Sequence, residues 1–160
     1  MFDKKQLQEE AFIIAEVGQN HQGDLDLARE YIKVFAEAGA NAIKFQTRKN
    51  KVLFSEDAYN KPYDSENAFA DVYGLHREVL ELKPEWLPIL KQDCHNRGVA
   101  FMSTPFDEPS LELLCTVGAD ILKVASFDIG NLPFLEKIGS THIPVVISIG
   151  GGKPDQIKAS

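Results

Sequence analysis

Cysteine is scarce in this chain. There are two, Cys94 and Cys115, and neither stands in a CxxC spacing. That excludes a disulfide scaffold and a thiolate metal knuckle, and the expected state is two reduced, partly buried thiols. Cations are also in short supply: 17 Lys and Arg against 24 Asp and Glu give a formal net charge of -7. A general nucleic-acid binder needs the opposite balance to neutralise phosphates, so no nucleic-acid partner is expected. No run of 18 apolar residues exists, so no helix is expected to span a membrane. The first ten residues, MFDKKQLQEE, are charged from the third position and lack an apolar stretch, which implies no export and a cytoplasmic location. Linkers rich in Pro, Gly or Ser are missing too, so no internal domain boundary is expected.

What is present is a regular alternation of short apolar runs and helical patterns. AFIIAEV (11–17) reads as a strand, and DLDLAREYIKVFAEAGA after it as a helix. Asp24 is the expected N-cap, Leu27, Tyr31, Val34 and Phe35 share a face, and Gly39 closes the helix. NAIKFQT (41–47) is a second strand, followed by a polar and aromatic stretch, 48–80, without a clean period. KPEWLPILKQDCHNRG is a helix ended by Gly98; Pro88 fits it only within the first turn. Then come strand VAFMSTPF, helix EPSLELLCTVG, strand ADILKVAS, helix NLPFLEKIGSTH, strand PVVISIGGG and a helix start, KPDQIKAS. Strands each followed by a helix mean an α/β protein with a parallel sheet. Two architectures fit: an open doubly wound sheet, or the first five units of an eight-stranded TIM (β/α)8 barrel.

Polar residues at the strand ends favour the barrel. They are Glu16 with Gln19, Asn20 and His21; Lys44, Gln46 and Thr47; Ser103 and Thr104; Lys123, Ser126 and Asp128; and Ser148 before Gly150, Gly151 and Gly152. In parallel strands these ends share one side of the sheet, where barrel sites are built. Lys44 and Lys123 each interrupt an apolar strand, and a strand lysine must find a counter-charge or escape to a rim. One alone is most simply a salt-bridged structural residue, with Glu16 the available carboxylate. Two, both flanked by hydroxyls or amides, point to an anion site, most simply for a phosphate and a carboxylate. Glu16 among cations is then a candidate general acid/base. His76, His95 and His142 read as surface residues, whereas His21 is expected at the site.

Five segments in order, IIAEVGQNHQGDLDLA, AGANAIKFQT, FMSTPFDEPSLELL, LKVASFDIGNLPFLEKI and PVVISIG, resemble the N-terminal half of the sialic acid synthase family. The resemblance implies a TIM barrel that condenses phosphoenolpyruvate with an N-acetylated hexosamine, such as N-acetylmannosamine, and releases phosphate. It puts phosphoenolpyruvate contacts on Lys44, Thr104, Lys123, Ser126 and Ser148, sugar contacts on Gln46 and Asn67, and a catalytic acidic residue on Glu16. It also implies a divalent metal, Mn2+ or Mg2+, with ligands beyond the equivalent of Ser160. On that reading residues 1–160 are the N-terminal part of a single barrel domain, without the C-terminal barrel half and the antifreeze-like domain. A homodimer, or pairing with the missing barrel half, is then expected.

Two departures from the family pattern stand out. Ser148-Ile149-Gly150-Gly151-Gly152 replaces a Ser-Thr-Gly-Met type sequence, and its glycines would form a backbone nest. Phe127 occupies a position where the family has glycine. Two other functions stay open: a half barrel that binds phosphoenolpyruvate or another anion without catalysis, and an aldolase using Lys44 or Lys123 as a Schiff-base amine.

Overall fold

The structure is a computed structural model that describes residues 11–159; the N-terminal decapeptide, on which the export reading rests, lies outside the described residues. The chain folds β1 (Ile14–Gly18), α1 (Leu25–Glu37), β2 (Ala42–Thr47), α2 (Asn50–Leu53), α3 (Glu56–Tyr59) and α4 (Tyr73–Val79). It continues with α5 (Leu87–Asn96), β3 (Ala100–Pro105), α6 (Glu108–Val117), β4 (Ile121–Val124), α7 (Leu132–Ser140), β5 (Val145–Ile147) and α8 (Pro154–Ala159). All five expected strands are present and pair in parallel, in the spatial order β1-β2-β3-β4-β5. No strand is skipped, so the sheet is wound in one direction, as in a barrel. A doubly wound sheet reverses its order partway.

Packing confirms the distinction. Val17, Ile43, Phe45, Phe101, Leu122 and Val124 share one core with Ala28 and Ile32 of α1, Leu90 and Cys94 of α5, Leu111 and Leu114 of α6, and Phe134 and Ile138 of α7. Four helices thus cover one face of the sheet. The opposite, inner face has its own small cluster, Ala42, Met102 and Ile121, packed with Phe12, Ile14, Ala100 and Val146. Because strand residues alternate between faces, the helix-covered core and the inner face come from interleaved positions of the same strands.

Local rules account for the helices and for two corrections. Asp24 caps α1 by accepting from the Leu27 N–H at 2.8 Å, as expected. The buried stripe of α1 is centred on Ala28 and Ile32, however, while Leu27 and Val34 are exposed. Size misled the sequence reading: small Ala28 sits where the helix approaches the sheet, and the larger Leu27 points away. Pro88 does fall in the first turn of α5, behind a 3-10 turn over Pro84–Trp86. Cys94 is fully buried rather than partly so, and burial pushes its thiol up to about 12; Cys115 is exposed.

The irregular stretch after β2 holds α2, α3 and α4, too short to show a period. It is fastened to the β1–α1 loop by close approach. Gly23 has φ 71, and a Cβ there would lie 2.0 Å from the Val79 carbonyl oxygen, so only glycine fits. Beneath this contact His21 is buried, its Nδ1 accepting from the Gly23 N–H at 3.0 Å and its ring 6.2 Å from Phe45.

Candidate active site

The period of two along the strands writes the site. On the inner face Ala42, Lys44 and Gln46 succeed one another in β2, and Ala100, Met102 and Thr104 in β3; Ile121 and Lys123 do so in β4. The first members are apolar and close the floor. The later ones are polar and lie at the C-terminal ends. Register aligns them: Glu16 partners Lys44, Gln46 partners Thr104, and Ser103 partners Leu122, which puts Thr104 beside Lys123.

Lys44 is only 4 % exposed, and its ammonium donates to Glu16 Oε2 at 2.5 Å. Burial pushes the lysine down from its ordinary range, the Glu16 contact opposes this, and the nearby Lys123 and Arg48 cations push the same way as burial. Glu16 is shared, since its Oε1 accepts from Gln46 Nε2 at 3.4 Å. Lys123, half-buried, makes no ion pair among the described residues. Between the two lysines the Thr104 hydroxyl is buried without a protein partner. The cluster therefore has an unpaired cation and an unused hydroxyl, which is an oxyanion's complement.

The other expected residues are placed less centrally. Ser126 is exposed at the start of a 3-10 turn, Ser126–Gly130, directly after β4. Ser148 follows β5, its N–H donating to the Val124 carbonyl at 3.1 Å, so the sheet pairing reaches it. Asn67 is exposed in the loop before α4, its N–H donating to Ser65 Oγ at 3.4 Å. No hydrogen bond among the described residues ties it to the strand ends. Of the glycine nest, the Gly152 N–H is already committed to the Ile149 carbonyl at 3.1 Å.

Several strand-end expectations are corrected. Thr47 and Ser103 are on the helix-covered face, where their hydroxyls bond to each other at 2.8 Å in the core. His21 is fully buried against Phe45, away from the inner face, and burial lowers it to about 4. His76 is not a surface residue. It is buried against Tyr63, at 4.5 Å between ring centroids, and its Nδ1 accepts from the Phe69 N–H at 3.1 Å. Asp128 is buried, one carboxylate oxygen held by Asn131 at 3.4 Å and the other unpartnered, and burial pushes its carboxyl up. Phe127 is 64 % exposed and stacks on Phe106 at 5.8 Å, so it leans over the rim.

Two residues of the site escaped the sequence reading: Arg48 and Glu81. Arg48 continues the inner-face period of Lys44 and Gln46, a signal that was available. Glu81 is in the aperiodic stretch and carried none. Among the described residues no group of three or more His, Cys, Asp or Glu side chains comes together. The described residues therefore form no binding set for the divalent metal that the resemblance implies.

A one-way parallel sheet, helices on one face and a cationic cluster at the strand ends define an α/β protein of the TIM-barrel type with five βα units. The chain belongs to the NeuB family, whose model matches residues 31–160. It is 37% identical over 151 residues to the N-acetylneuraminate-9-phosphate synthase of Homo sapiens, covering 94% of this chain and 42% of that protein. It is 40% identical over 141 residues to the N,N'-diacetyllegionaminic acid synthase of Legionella pneumophila subsp. pneumophila, covering 87% of this chain and 39% of the other. A crystal structure of the sialic acid synthetase of Leptospira borgpetersenii in complex with citrate superposes with a TM-score of 0.79 at 34% identity. That likeness covers 94% of this chain and 48% of the other. The chain thus spans less than half the length of these relatives. Among the described residues no helix is long and apolar enough to cross a membrane.

Proposed function

We propose that this chain forms the phosphoenolpyruvate-binding part of a nonulosonate synthase, which joins phosphoenolpyruvate to an N-acetylated hexosamine with uptake of water and release of phosphate. One observation carries the reading: Lys44 and Lys123 flank the unpartnered Thr104 hydroxyl at the strand ends, with a single carboxylate, Glu16, against one of them. Two anionic groups on one small molecule match that arrangement. On binding, Lys44 exchanges Glu16 for an oxyanion of phosphoenolpyruvate, Lys123 takes the other, and Ser126 and Ser148 donate from the rim. Glu16, released and half-exposed, is then free to move a proton as acid or base. Gln46 and Asn67 face the sugar. The names of the relatives support the reaction class, with N-acetylmannosamine, its 6-phosphate and bacillosamine-derived sugars as the candidate acceptors.

The Schiff-base alternative fits less well. At Lys44 the ammonium donates to Glu16 Oε2 at 2.5 Å, and a protonated amine does not attack a carbonyl; at Lys123 the alternative predicts a covalent adduct on borohydride trapping with pyruvate, where the anion-site reading predicts none. Among the described strands β1 and β5 each pair on one side only, which supports assembly with further strands or a second copy. Calorimetric titration of phosphoenolpyruvate into the chain tests the site. Saturable binding is expected, and Lys44→Ala and Lys123→Ala should each abolish it. Unchanged affinity in both variants overturns the proposal.

A further inference from the structure

Arg48 follows β2 directly and projects over the site, yet its side chain is only 8 % exposed. Its guanidinium lies 4.1 Å above the centroid of Phe106, donates to Gln46 Oε1, and sits with Nε 3.4 Å from Glu81 Oε1. Glu81, 11 % exposed, is itself gripped: Oε1 accepts from Gln19 Nε2 at 2.8 Å and from Asn50 Nδ2 at 3.5 Å. Side chains from the β1–α1 loop, the end of β2 and the start of α2 converge on one carboxylate. A continuous polar chain therefore runs from Glu81 through Arg48, Gln46 and Glu16 to Lys44.

The chemistry of the ends decides the direction of the amide in the middle. A guanidinium can only donate, and a carboxylate can only accept. Gln46 stands between one of each, so its oxygen must face Arg48 and its NH2 must face Glu16. Its oxygen is turned toward Arg48, with one lone pair engaged, and of its two N–H groups one bonds Glu16 and the other remains for the cavity. We propose that Arg48 and Glu81 are positioning residues that lock Gln46 as an N–H donor, so that the ligand group it meets is an oxygen acceptor. The assignment of that group rests on the function proposed above; the lock itself does not.

Glu81 makes the lock sensitive to pH. Burial pushes its carboxyl up to about 7, although Arg48 and Arg77 pull it down; Glu78 adds repulsion, and Gln19 and Asn50 are the neutral groups facing it. Protonation removes the charge that holds Arg48, and Arg48 then loosens its hold on Gln46.

Side-chain 15N–1H NMR of the chain, labelled on glutamine, reads the lock directly. In the native chain the two Gln46 amide protons should be well separated, exchange slowly with water, and shift with a midpoint near pH 7. Glu81→Gln should erase that titration. Arg48→Met should speed Gln46 amide exchange at least tenfold, and Arg48→Lys, which can still donate to Oε1, should restore much of the protection. Equal exchange in Met and Lys variants would reduce Arg48 to packing and overturn the proposal, as would a Gln46 signal indifferent to Glu81→Gln. Phosphoenolpyruvate titration of the same samples reports separately on the anion site, so failure of one reading leaves the other standing on its own result.

Discussion

The two faces of the sheet are built from alternate residues of the same strands, and they differ in kind. The helix-covered face is apolar except for the Thr47 and Ser103 hydroxyls, which satisfy each other, and its Phe45 and Phe101 rings stack 5.8 Å apart in full burial. The inner face is apolar only at its floor and turns cationic at the strand ends. If stability resides on the first face and the proposed anion site on the second, substitutions should separate the two properties. A ring fills space that nothing else can fill, whereas a buried ammonium contributes little net stability once its dehydration is set against its ion pair.

The largest effect is expected on the helix-covered face. Phe101→Ala leaves a cavity between β3 and the helices and should destabilise the chain by about 3–5 kcal/mol, read from urea denaturation. A loss below about 1 kcal/mol would mean that this core collapses around the gap.

Next comes the carboxyl of Glu81. In the unfolded chain it releases its proton near pH 4.5, in the folded chain near 7. Between these values the folded state holds a proton that the unfolded state has lost, so this group makes folding less favourable as pH rises. Native stability measured relative to Glu81→Gln should therefore fall by about 3 kcal/mol from pH 4.5 to 7 and level off beyond. His21 works in the reverse sense: its ring is held neutral down to about pH 4, so its contribution is lost as pH drops from 6.5. Parallel profiles for the native chain and Glu81→Gln would show that Glu81 is not proton-linked to folding.

Smaller still is the cap of α1. Asp24→Ala removes the acceptor for the Leu27 N–H and should cost about 1 kcal/mol in the same assay. The smallest effect on stability sharpens the comparison most. Lys44→Met should alter the denaturation midpoint hardly at all, because Glu16, left behind, is half in water, yet it should remove phosphoenolpyruvate binding. A large loss of stability would show that the Lys44–Glu16 pair belongs to the frame after all.

Apolar runs that end in polar residues made the strands and the two lysines, Lys44 and Lys123, readable from residues alone, while Gln46 and Thr104 were singled out by the family resemblance. The same rule placed Thr47 and Ser103 on the wrong side, because a polar residue at a strand end was taken as a site residue without counting its parity. Lys44 and Gln46 are even-numbered neighbours; Thr47 is one step out of phase and points into the core. His21 and His76 misled for another reason. Each ring is buried through a backbone N–H donor, Gly23 or Phe69, that lies in an irregular segment. Helices of four residues such as α2 and α3 leave no periodic trace, so nothing announced that Glu81 returns to meet Arg48.

That returning segment bears on how the chain closes its loops. Glu16 and Lys44, on adjacent strands, are 28 residues apart, while Thr47 and Ser103, on the next adjacent pair, are 56 apart. The entropy of bringing two points of a chain together grows only with the logarithm of their separation, so this doubling adds about 0.6 kcal/mol. The closure entropy added by a stretch that holds three helices and the Glu81 carboxylate is thus smaller than the free energy a single buried methylene contributes. Closure therefore sets little limit on the length of this connection, whereas the close approach of Gly23 to the Val79 carbonyl fixes where its end meets the β1–α1 loop.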